Sequence, residues 1–179
     1  MLARNTAAFM LTLASLTACR GGEDGEDRVT PDTTAAAAVE SALAPDTTET
    51  AFWAHLQAVD YRSWAEWPGT GELYPGTEPH GMLLTTYVND LAHDALTNGA
   101  TTMPAGAIIV KENYMPDSTF AAVTAMYKVS GYDSAHNDWY WAKWDPNGVA
   151  EVAGRVEMCA ACHGANANAD YLMTARPAR

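Results

Sequence analysis

Positive charge is scarce in this chain. Its 179 residues carry 10 lysines and arginines against 22 aspartates and glutamates, a formal net charge of -12. A surface of that sign repels a phosphate backbone, which argues against nucleic acid as a partner. Apolar runs are short as well. Residues 7–18, AAFMLTLASLTA, fall well below the roughly 20 apolar residues that cross a bilayer as a helix. No internal repeat is visible. Cysteines number only three, and two of them sit close together near the C-terminus. Lysine is restricted to Lys111, Lys128 and Lys143. What is present is a 48% hydrophobic composition. That is enough for the core of one domain of about 100–150 residues, with extra segments.

The extra segments lie at the N-terminus. Arg4 precedes the apolar run, which has the length of a signal-peptide core. The run ends in Leu16-Thr17-Ala18-Cys19, which resembles the bacterial lipobox, whose cysteine carries lipid in the mature protein. An ordinary cleavable signal followed by a stray cysteine is the plainer alternative. Residues 1–19 are thus expected to be a lipoprotein signal ending at the lipidation site Cys19. The lipobox pattern further implies an exported, lipid-anchored protein. Arg20 follows where an aspartate would favour the inner membrane, so the outer membrane is the expected location, on its periplasmic side or its surface. Buried lipid methylenes would supply the anchoring, at about 0.8 kcal/mol each. Residues 20–49 hold eight acids against two arginines and almost no large apolar residue. Such a stretch cannot offset its ordering entropy by burial and is expected to be a disordered acidic tether.

From residue 50 the texture changes, and all six tryptophans and all eight tyrosines lie beyond this point. Residues 50–179 are therefore the expected folded domain. Helical spacing of Phe52, Trp53, Leu56 and Val59 predicts a helix over 50–66. Residues 67–81 are turn-rich and predict a long loop. Strands are expected at 81–89, 105–114, 118–132 and 138–144. Alternation along the last strand places Trp139, Trp141 and Lys143 on one face and Tyr140, Ala142 and Trp144 on the other. A short helix is expected at 90–99, capped by Asn89 or Asp90 and stopped by Gly99. A final helix is expected at 150–162. The short links favour an antiparallel meander, so the fold class is α+β.

The chemistry concentrates in Cys159-Ala160-Ala161-Cys162-His163. This is the attachment pattern of c-type haem. Two thiols three positions apart on a helical turn can each form a thioether with one porphyrin vinyl group, and the adjacent histidine supplies an axial nitrogen to the iron. Three other readings compete. A zinc site needs further paired ligands, and His80, His93 and His136 show no such spacing. A redox dithiol belongs at the start of a helix after a strand in a thioredoxin-like pattern, which is missing here. A structural disulfide suits an exported chain. Yet export also leads to the compartment where haem is attached in bacteria. The expected cofactor is one covalent haem c, held by Cys159 and Cys162, with His163 as the iron ligand.

Only 16 residues follow His163, and Met173 is the one methionine among them. That separates the chain from small electron-transfer cytochromes with an early motif and a distant methionine ligand. The strand-rich stretch 105–144 separates it from the four-helix cytochromes c′.

Four blocks carry a further resemblance: EPHGMLLTTYVND, MPAGAIIVKENY, TAMYKVSGYDSAHNDWYWAKWDPNG and CAACHGANANADYL. In this order and spacing, over about 95 residues (78–172), the chain resembles the cytochrome P-460 family, whose relatives include the cytochromes c′-β. The resemblance implies an antiparallel sheet of about five strands packed with helices, with a C-terminal helix carrying the haem motif, usually as a homodimer. It implies one haem with His163 on one iron face and the other face open or weakly ligated. Family members lacking a lysine–haem cross-link, with an apolar pocket, bind NO or CO. Members with the cross-link oxidise hydroxylamine. The partners expected of this chain are a small gas or nitrogen-oxide ligand and a redox partner protein. The expected function is a membrane-tethered mono-haem cytochrome that binds a small gas or nitrogen-oxide ligand, or carries electrons. Hydroxylamine oxidation is the alternative. The candidate catalytic residues for that alternative are Lys111, as cross-linking lysine, and Glu112, as proton acceptor. His80 is a candidate for the haem pocket, and Arg155 for a haem propionate.

Overall fold

The computed structural model describes residues 45–175. The signal and lipidation expectations at residues 1–19, and nearly all of the expected tether, lie outside the described residues. Among those described, no helix is long and apolar enough to cross a membrane.

The Thr48 hydroxyl accepts from Ala51 N at 3.3 Å and caps helix α1, Glu49–Ala58. Phe52 and Leu56, four positions apart, form its buried stripe. The helix is shorter than its apolar spacing predicts. Asp60 adopts a left-handed conformation (φ 48°) and ends it. A short 3-10 turn, Tyr61–Ser63, leads into strand β1, Ala65–Glu66. Strands β2 (Tyr74–Pro75) and β3 (Leu83–Val88) follow, then helix α2 (Asp90–Thr97), β4 (Ile108–Tyr114), β5 (Phe120–Lys128), β6 (Trp139–Trp144) and β7 (Ala150–Gly154). Helix α3, Glu157–His163, and a 3-10 segment, Gly164–Ala169, are the last elements before an irregular stretch, 170–175.

All strand pairings are antiparallel. The order is β1-β3-β4-β5-β6-β7, with β2 also on β3. Five long strands thus form the expected α+β meander, and two strands of two residues each extend it. Asn89 ties helix to sheet. Its Oδ1 accepts from Ala92 N at the start of α2 and from Ile108 N of β4, while its Nδ2 donates to Gly106 O.

One expectation is corrected here. Residues 150–162 are not one helix. Ala150–Gly154 is strand β7, paired with β6 from Trp144↔Ala150 to Trp141↔Gly154. Gly154 takes φ +106°, which a helix cannot continue through, and α3 starts three residues later, at Glu157. The open edge of β6 supplies hydrogen-bond partners that outweigh the helical propensity of the segment.

Period-two alternation sorts the sheet into two cores. On one face α1 covers Ile108, Val110, Val123, Tyr127, Tyr140 and Trp144. Phe52 centres this cluster, with ring centres 5.3 Å from Tyr127, 5.5 Å from Tyr140 and 5.8 Å from Trp144. The other face carries Val88, Ile109, Met126, Trp139 and Trp141 beneath Leu96 of α2, Ala160 of α3 and Tyr171. The alternation read from Trp139–Trp144 matches this division.

Candidate functional site

Helix α3 sits at the edge of the second face and carries Cys159, Cys162 and His163. Both cysteines are free thiols, Cys159 half-buried and Cys162 exposed. Burial, with Cys162 beside it, pushes the Cys159 thiol up. His163 is buried. Its Nδ1 lies 2.7 Å from the carbonyl oxygen of Tyr171. A carbonyl only accepts, so Nδ1 carries the proton and Nε2 keeps a lone pair for a metal. The Trp141 ring packs edge-on at 4.8 Å between centres. Burial, partly opposed by the Tyr171 carbonyl, holds the imidazole below its ordinary pKa and therefore neutral.

The Tyr171 carbonyl is held by a second set of contacts. Asp170 and Tyr171 both adopt left-handed backbone, φ 59° and 63°. Asp170 is buried and saturated. Its Oδ1 accepts from Lys128 Nζ at 2.7 Å and Asn137 Nδ2 at 3.0 Å, and its Oδ2 from Met103 N at 2.7 Å. Its carbonyl accepts from Trp139 Nε1 at 3.0 Å. These bonds fix the turn after α3 onto the sheet.

A cavity of about 480 Å³ opens beside α3. Its lining includes Trp67, Ile109, Met126, Trp141, Met158 and Leu172, with Cys159, Cys162 and His163 in one wall. His80 and Lys111 also line it. The His80 and His163 rings stand 6.0 Å apart, centre to centre, with planes at 85°. Burial, with Lys111 and His163 nearby, pushes the His80 imidazole down to about 4. Burial alone pushes the Lys111 amine down to about 8. Lys143 lines the cavity too and pairs with Glu151 at 2.7 Å.

The structure brings Cys159, Cys162, His163, His80 and Lys111 together, and it separates the rest. Glu112 follows Lys111 on one strand, so it points to the opposite face. There it accepts from Tyr61 Oη at 2.8 Å, Arg62 Nε at 2.6 Å and Tyr114 Oη at 2.5 Å. It does not line the cavity. Arg155 stacks on the Tyr132 ring and donates to the Tyr132 carbonyl, away from the cavity lining. His93 is partly exposed beside Asp94, and His136 is bound to Asp133. Met173 lines the cavity, and its sulfur accepts from Asn166 Nδ2 at 2.9 Å. Sequence reasoning missed Tyr171, Asp170 and Lys128. Lys128 shares a strand face with Thr124 and Met126, a signal the alternation of β5 contains.

The site suits a porphyrin. Its volume lies within the range of about 300–1,000 Å³ for cofactor pockets, and its walls are mainly apolar and aromatic. Two unpaired thiols three positions apart border it, next to an imidazole with a metal-ready nitrogen. Among the described residues, no group of three or more His, Cys, Asp or Glu side chains could hold a bare metal ion. An iron already held in a macrocycle needs only axial ligands from the protein.

The chain belongs to the cytochrome P460 family, whose model matches residues 58–174. No curated protein matches the chain.

Proposed function

We propose that the chain is an exported mono-haem c-type cytochrome that binds a small ligand such as NO or carries electrons. Cys159 and Cys162 would hold the porphyrin through thioethers, and His163 Nε2 would ligate its iron. The haem, when bound, would supply reversible one-electron chemistry and ligand binding at iron. The protein orients His163 through Tyr171, walls the pocket with Trp141, Trp67 and Met126, and limits water. The observation that carries this reading is the His163–Tyr171 bond beside two free thiols on a cavity wall.

One observation favours the second reading, hydroxylamine oxidation. Lys111 reaches the same cavity with an amine pushed down to about 8, as a nucleophilic lysine requires. Glu112 lies on the wrong face for the proton acceptor, a role left to His80. Peptide mapping of the haem-loaded chain separates the two. The first reading expects porphyrin on the peptide holding Cys159 and Cys162, with Lys111 unmodified. Porphyrin linked to Lys111, together with a ferrous Soret band displaced far to the red, would establish the second.

A further inference from the structure

His80 is unusual among the described polar residues because a dedicated loop presents it. Residues 76–81, Gly-Thr-Glu-Pro-His-Gly, close on themselves and on the sheet. Gly76 N donates to Met82 O at 2.9 Å, His80 N to Thr77 O at 3.1 Å, and Met82 N to Tyr114 O at 3.1 Å. The two glycines are required by this closure. A Cβ on Gly76 would stand 2.4 Å from Gly81 O and 2.6 Å from Leu84 Cγ. One on Gly81, at φ +128°, would stand 2.9 Å from Tyr114 O. The loop is thus pressed to backbone contact, and its histidine is aimed into the cavity rather than to solvent.

The ring itself is held from one side. Thr124 Oγ1 lies 3.3 Å from Nδ1, and Asn113 Nδ2 donates to the same hydroxyl at 3.4 Å. A partner that accepts from Nδ1 leaves Nε2 free to serve a metal, and the Thr124 hydroxyl can take that role because its own hydrogen is directed to Lys111 O at 3.4 Å. The spacing also agrees. With metal–nitrogen bonds of about 2.0–2.1 Å and each ring centre about 1.1 Å behind its nitrogen, two imidazoles on opposite sides of one metal have centres about 6.2–6.4 Å apart, within a few tenths of an ångström of the spacing here. The His80 and His163 centres are 6.0 Å apart.

We propose that His80 is the second axial ligand of the haem iron, opposite His163, so that the resting iron has no open face. This rests on the haem reading above and selects between its two branches. A doubly ligated iron exchanges single electrons with an external one-electron carrier without binding a substrate. NO or CO reaches the iron only after His80 leaves. The device is local: the 76–81 loop delivers one ligand, and α3 delivers the other.

The test uses the haem-loaded chain and reads spin state and CO binding. First, the pyridine haemochrome establishes whether haem is present. Its absence sinks the haem reading and this proposal with it. With haem present, the ferric wild type is expected to be low-spin and six-coordinate. CO binding to the ferrous form should level off at high CO, limited by departure of His80. His80→Ala should become high-spin, bind CO at least tenfold faster in direct proportion to CO, and return to low-spin on adding imidazole. A high-spin ferric wild type would overturn the proposal while leaving the haem reading intact. So would low-spin iron that persists in His80→Ala, or that is lost only in Lys111→Met. Should His80→Ala not fold, His80→Gln fills the same space and carries the same expectations, imidazole rescue excepted.

Discussion

Replacing Asp170 by asparagine removes a buried charge while changing almost nothing else. Asparagine has the same shape and tolerates the left-handed backbone that Asp170 adopts. What it cannot do is neutralise Lys128, whose ammonium is 2.7 Å away with a side chain only 9% exposed. Removing one member of a buried pair typically costs about 3–5 kcal/mol, because the other charge is stranded. That is a large part of the roughly 5–15 kcal/mol that holds a domain folded. At about 3–5 °C per kcal/mol for a domain of this size, the melting temperature should fall by about 10–20 °C. Lys128→Met alone should cost less, since Asp170 keeps its bonds from Met103 N and Asn137. The double variant, Lys128→Met with Asp170→Asn, should recover much of the loss, because no charge is left stranded. Thermal unfolding followed by far-UV circular dichroism measures all three. If Asp170→Asn melts within about 2 °C of the wild type, the pair does not fix the turn after α3, and the support inferred for Tyr171 and His163 fails with it.

Other outcomes follow from the two faces of the sheet. Tyr61→Phe deletes a bond to the Glu112 carboxylate and should cost about 1.5–3 kcal/mol. The haem spectrum should stay unchanged, since Glu112 is on the face away from the cavity. A spectral shift would place Glu112 in the haem site after all. Lys111 in the haem-free chain should react with an amine-selective reagent half-maximally near pH 8, because burial favours the neutral amine. The native state then binds fewer protons than the unfolded chain between about pH 8 and 10.5, so stability should rise with pH across that window. Half-maximal labelling near the ordinary lysine value would mean that the amine is solvated. Labelled palmitate should enter the wild-type chain in a bacterial host and be lost in Cys19→Ser. Equal labelling of both would end the lipid-anchor reading.

What the sequence made legible was local chemistry and strong alternation. The Cys159–His163 run is a five-residue chemical pattern, and its ligand histidine needs no knowledge of distant contacts. Trp139–Trp144 reads as one strand from its aromatic content, and period two then assigned its two faces before the fold was known. Strand β7 was hidden because it is short and half-exposed, with no alternating burial. Its alanine- and glutamate-containing run reads as helix by propensity, and only Gly154 signalled a break. Glu112 was a register question. Lys111 and Glu112 are neighbours on a strand, so period two already forbids both from facing one cavity. The Lys128–Asp170 pair had no such signal, because the partners are 42 residues apart and meet only when β5 and the C-terminal turn pack together.

The central assignment is the covalent haem at Cys159 and Cys162, with His163 on the iron. Intact mass of the chain, produced in a host that attaches haem c and denatured before measurement, tests it most directly. The wild type should carry the mass of one haem, and the Cys159→Ala/Cys162→Ala variant should carry none. A wild-type chain at its bare polypeptide mass, in a host that loads another c-type cytochrome normally, would contradict the assignment.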